Sequence, residues 1–152
     1  MQLSANFSLE QLTASETALA RGIDNRPPAE IIENLRLLAA GLEQAQSVLG
    51  YPLEVSSGYR CPELNIAIGG AEKSQHCFGL AADFTCPSFG TPLEIAAALR
   101  DSGIRFDQCI LEFGRWVHLS FSPEPRGRML TIHDPKEGYL VGLWDTEGNK
   151  VG

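Results

Sequence analysis

Apolar positions along the chain change period partway. Between Pro28 and Gly50, residues Ile31, Ile32, Leu35, Leu38, Leu42, Ala45 and Leu49 fall at helical spacing, with Pro at the start and Gly at the stop. Ahead of them, Ser8-Leu9-Glu10-Gln11 has the form of a capping box and predicts a helix to about Ala20, ended by Gly22. The intervening Asp24-Asn25-Arg26-Pro27-Pro28 is turn chemistry. Cys61 to Ala67 predicts a short helix before a Gly69-Gly70 loop. Thr91-Pro92-Leu93-Glu94 opens another helix that runs to about Ser102 and stops at Gly103.

Elsewhere the pattern alternates. Leu53 to Ser57, Ala81 to Thr85, Gln108 to Glu112 and Trp116 to Phe121 read as strands, the last two joined by a turn at Gly114. Met129 to His133 and Tyr139 to Trp144 predict a closing hairpin around Lys136-Glu137-Gly138. Helices come first and strands cluster later. The expected fold is therefore α+β, with N-terminal helices packed on a small antiparallel sheet. At 152 residues the chain can bury its own core and favours one domain, 1–152. Within it the expected parts are helical over 1–50, a core carrying the candidate site over 51–121, and a C-terminal hairpin over 122–152.

Strand period also sorts side chains by face. Asp83 shares a face with Ala81 and Thr85, while Leu80, Ala82 and Phe84 turn toward the core. His118 shares a face with Trp116 and Ser120, opposite apolar Val117, Leu119 and Phe121. His76 lies one short loop ahead of Asp83, in Ser74-Gln75-His76-Cys77-Phe78-Gly79-Leu80-Ala81-Ala82-Asp83. Two imidazoles and a carboxylate make a three-ligand zinc set with a fourth position open. Taken singly, the same residues are ordinary hydrogen-bonded strand residues, and the pattern alone leaves both readings open. His133, beside Asp134-Pro135, reads as a surface turn residue.

Charge and cysteine usage narrow the partners. A net charge of -7 argues against a broad electrostatic grip on nucleic acid or an anionic membrane. No apolar run reaches the length of a membrane span. Met1-Gln2-Leu3-Ser4-Ala5-Asn6 has neither the basic nor the apolar region of a secretory signal, so synthesis in the cytoplasm is expected. Cys61, Cys77, Cys86 and Cys109 form no CxxC pair and read as reduced thiols packed as small hydrophobes. A thiol enzyme using Cys77 beside His76 is disfavoured, because adjacent side chains in an extended segment diverge.

Several separated motifs occur in a fixed order: Ser57-Gly58-Tyr59-Arg60, Leu64-Asn65, Gly69-Gly70-Ala71, the Ser74 to Asp83 run, and Trp116-Val117-His118-Leu119-Ser120. Together they resemble the zinc D-Ala-D-Ala carboxypeptidase and endolysin peptidase family, peptidase family M15, most nearly its compact phage and prophage members. The likeness covers about Phe7 to Phe121. It implies an α+β fold shared with the zinc domain of Hedgehog proteins. It also implies hydrolysis of peptide bonds in peptidoglycan stem peptides, as a carboxypeptidase or an endopeptidase. At matching positions it implies Zn²⁺ bound by His76, Asp83 and His118, and a substrate held near the metal by Arg60. A guanidinium fork suits a peptide carboxylate or carbonyl.

The proton carrier departs from the family pattern. Many members have an acid or a His three residues before the last His ligand, where this chain has Arg115. Arg115 cannot act as a base. Glu112, at the end of the preceding strand, is the nearest acid, and the Gly114 turn can bring it beside His118. Asp107 reads as structural, and Ser74, Gln75 and Ser120 are near enough in sequence to orient the ligands. The second reading is a non-catalytic zinc module that binds cell wall or forms part of a phage particle. On either reading the wall is reached after lysis, through a holin, in a virion or by another export route.

Overall fold

The computed structural model describes residues 1–152. It has helices α1 (Leu9–Thr13), α2 (Glu16–Arg21), α3 (Ala29–Leu49), α4 (Pro62–Ala67) and α5 (Pro92–Asp101). Strands are β1 (Glu54–Ser57), β2 (Ala81–Thr85), β3 (Gln108–Glu112), β4 (Trp116–Ser120), β5 (Arg128–Ile132) and β6 (Tyr139–Val141). A 3-10 turn spans Gln75–Phe78. The α+β class expected from the order of periods is observed.

The strands form one sheet in the order β1-β2-β4-β3-β5-β6. Every neighbouring pair is antiparallel except β3 and β5, which run parallel. The sheet is therefore mixed rather than purely antiparallel. The cause is a short return. The segment after β4 re-enters the sheet at the same end, as Ser120 and Arg128 both lie opposite Gln108. It takes the far edge of β3 and so must run parallel to it. Gly127 and Arg128 donate their N–H groups to the Phe106 and Asp107 carbonyls and fasten the crossing.

One sheet face packs against α3 and α5. Leu35, Leu38, Leu42, Ile95 and Leu99 meet Ala82, Phe84, Cys109, Leu111, Val117 and Leu119 in a cluster of 26 buried residues. Each large apolar side chain so buried contributes about 1.5–3 kcal/mol. The other face of β2, β4 and β3 is left for Asp83, His118, Ile110 and Glu112.

One predicted element divides. In place of a single helix from Ser8 to Ala20, Ala14 is extended and Ser15 caps a second helix through its side chain to the Ala18 N–H. The end of α1 is captured from outside: Leu12 O accepts from Tyr59 N and Thr13 O from Asn25 Nδ2. The last strand is shorter than expected, ending at Val141, while Trp144 makes an isolated bridge to Lys150. His133, expected at the surface, is half-buried, and its Nε2 is buried without a partner.

Candidate metal centre

Register brings the first pair together. β2 and β4 are neighbours with Asp83 opposite His118, so both side chains leave the same face at adjacent positions. His118 Nδ1 lies 3.1 Å from Asp83 Oδ1. The third group arrives on the 3-10 turn. Ser74 caps that turn by accepting from His76 N, and Gly79 ends it at φ 71. A side chain at Gly79 would also press on Ile31 and Leu35 of α3. Held in this way, His76 Nε2 comes within 3.2 Å of the same Asp83 oxygen.

The arrangement fits a cation. His76 Nδ1 is 2.7 Å from Gly58 O, and a carbonyl can only accept, so that nitrogen carries the proton. In the neutral ring Nε2 is then a bare acceptor facing the Asp83 carboxylate. His118 Nδ1 faces the same oxygen, while its Nε2 lies 3.3 Å from Gln75 Oε1. The three donor atoms lie within 4.8 Å of one another, and all three residues are buried. Converging acceptors in a desolvated site need a positive charge between them. A divalent metal ion satisfies all three at once, and the His₂Asp composition suits zinc.

Arg60 and Glu112 share the cleft with these groups. It has a volume of about 610 Å³, and its walls include Arg60, His76, Asp83, Glu112, His118 and Tyr139. Arg60 is half-buried; its Nη2 donates to Ser74 Oγ over 3.2 Å, and its Nε is buried without a partner. Burial pulls the guanidinium pKa down, against the charges of Asp83, Cys77 and Glu112. Burial pushes the Glu112 carboxyl up, with His118 opposing and Asp83 reinforcing. Trp116 Nε1 donates to Glu112 Oε1 over 2.7 Å. A second cleft, of about 680 Å³, lies between α2 and β1 and shares Arg60, Ile68, Asp83 and Trp116 with the first.

Arg115 is exposed on the hairpin turn and is not part of either cleft wall. Ser120 Oγ accepts from Gln108 N and Ser74 Oγ from Arg60 and His76 N, whereas Gln75 reaches His118 directly. Cys77 is half-buried, its thiol is pushed up by burial, and it does not line the cleft. The sequence pattern had no means of finding Tyr139, which comes from β6, remote in sequence from the other groups. It could have found Trp116, which strand period puts on the His118 face.

Comparison with curated proteins gives no match. The family model described as Peptidase M15 matches residues 5–120, well over half of the chain. That span contains Arg60, His76, Asp83, Glu112 and His118, and the chain belongs to the peptidase M15 family.

Proposed function

We propose that this protein hydrolyses peptide bonds in peptidoglycan stem peptides, using a zinc ion held by His76, Asp83 and His118. The observation that carries the proposal is the convergence of three buried acceptors with Glu112 and Arg60 in one cleft. When bound, zinc supplies Lewis acidity: it polarises a peptide carbonyl and brings the pKa of a water toward neutrality. Glu112 takes the proton from the attacking water at a carboxylate oxygen and returns it to the leaving amine. A carboxylate placed in the cleft can take the proton and return it in turn. Trp116 holds one Glu112 oxygen and leaves the other for the proton. Arg60 holds a substrate carbonyl or carboxylate through the guanidinium donors that its bond to Ser74 leaves free.

Open space on both sides of Asp83 favours cleavage within a peptide over removal of a terminal residue. The two clefts meet at Arg60, Asp83 and Trp116, and a chain can continue past the scissile bond in either direction. The test is digestion of purified peptidoglycan and defined muropeptides by the zinc-loaded protein, with products identified by mass. Interior cleavage that stops on chelation and in His76→Ala is the expected result. Cleavage surviving both changes overturns the zinc mechanism. Binding of wall and zinc without cleavage of any stem peptide would make the protein a non-catalytic module.

A further inference from the structure

Beside His118 lies a chain of side chains that does not hold the metal: Gln75 in the cleft wall, and Asp107 and Arg126 beyond it. Asp107 is buried just ahead of β3, only 3% exposed. Its Oδ1 accepts from Arg126 Nε at 2.9 Å and from the Arg126 backbone N–H at 3.0 Å. Its Oδ2 accepts from Arg126 Nη2 at 2.7 Å and from Gln75 Nε2 at 2.8 Å. Hydrogen bonding to Arg126 outweighs burial and keeps the Asp107 carboxyl below its ordinary value, so the group is an ionised acceptor with no proton to give.

This fixes the sense of the Gln75 amide. Its NH₂ must face Asp107, so its oxygen must face His118 Nε2, 3.3 Å away. An amide oxygen only accepts, so Nε2 carries the proton. In the neutral ring Nδ1 is then bare and directed at Asp83 Oδ1. We propose that Gln75, oriented by Asp107 and Arg126, is the positioning residue that selects the His118 tautomer and presents Nδ1 to the metal. The inference rests on the zinc reading above. His76 achieves the same end more simply, through the Gly58 carbonyl, which cannot reverse its polarity. An amide can reverse, and Asp107 is what prevents it. Outer groups that orient ligating imidazoles commonly change metal affinity by roughly 10–100-fold.

Zinc affinity measured by competition with a chromophoric chelator, without substrate, tests the chain. Gln75→Met removes the amide while leaving the Asp107–Arg126 pair intact, and should weaken zinc binding roughly 10–100-fold. Asp107→Asn should weaken it further. The new amide can donate to Gln75, turning the Gln75 NH₂ toward Nε2 and favouring the wrong tautomer. The double variant Asp107→Asn/Gln75→Met should recover to the level of Gln75→Met alone, a rescue that loss of packing cannot give. Thermal melts of the zinc-free proteins report any folding defect, and Gln75→Met carries the test if Asp107→Asn fails to fold. Wild-type affinity in Gln75→Met, or no recovery in a folded double variant, overturns the inference and leaves the zinc reading standing. If the wild-type protein binds no zinc, both fall.

Discussion

Trp116 donates its indole N–H to Glu112 over 2.7 Å across the first pair of the β3–β4 hairpin. The bond ties the proposed proton carrier to the strand that bears His118. It also opposes the rise in Glu112 pKa that burial causes. Trp116→Phe keeps the ring beside Phe113 but removes the donor. Glu112 should then hold its proton to higher pH. The acid limb of the kcat/KM profile, set by loss of the base form, should move upward relative to wild type. An unmoved limb would show that Glu112 is not the group being titrated.

Glu112→Gln separates catalysis from stability. Activity on stem peptides should fall roughly 10²–10⁴-fold, the usual worth of a positioned base. Stability should move the other way. A carboxyl whose folded pKa is raised favours the fold below its unfolded pKa, and that advantage is lost as pH rises through the folded value. At neutral pH the wild-type protein carries a half-buried charge that the amide does not. Zinc-free Glu112→Gln should therefore melt higher than zinc-free wild type at pH 7, with the gap closing toward pH 4. A lower melting temperature at pH 7 would mean that the ionised group stabilises the fold.

Arg60 offers a guanidinium whose Nη2 is engaged by Ser74 and whose Nη1 makes no hydrogen bond within the protein. Arg60→Lys preserves charge but not the fork. Hydrogen bonds to charged groups are worth about 1.5–3 kcal/mol, so KM for a stem peptide should rise roughly 10–100-fold. A change confined to kcat would place Arg60 at the transition state instead.

The parts of this site that were legible in the sequence are those set by local rules. Alternation in β2 and β4 put Asp83 and His118 away from the core because strand period is fixed by backbone geometry. Capping chemistry placed α3 and α5 to within a residue or two. What escaped depended on contacts between distant segments. Ala14 breaks the first helix because Tyr59 and Asn25 claim the carbonyls of Leu12 and Thr13, and no periodicity in residues 8–20 records that. The parallel pairing of β5 and the Asp107–Gln75 link arise in the same way, from a crossing loop anchored by Arg126.

That anchor has its own acid signature. Asp107 is depressed chiefly by Arg126, so the pair contributes stability above the unfolded carboxyl pKa and loses it as pH falls through the folded one. Arg126 is 52% exposed, which moderates the effect. Arg126→Ala should cost about 1–2 kcal/mol in urea unfolding at pH 7. Below the Asp107 folded pKa the two proteins should converge. A deficit independent of pH would assign the loss to packing.

Gly58 serves two ends at once. Its Cα faces the Leu12 carbonyl so closely that an added Cβ would collide with backbone, and its own carbonyl holds His76 Nδ1. Gly58→Ala must therefore move either α1 or the segment that orients His76. Overpacking of this kind costs typically about 1–3 kcal/mol. Because the displaced carbonyl fixes the His76 tautomer, zinc affinity should fall together with stability. Urea unfolding of the zinc-free protein and chelator competition on the same preparation check the coupling. A variant that loses stability yet keeps wild-type zinc affinity would show that α1 yields and the Gly58 carbonyl stays in place.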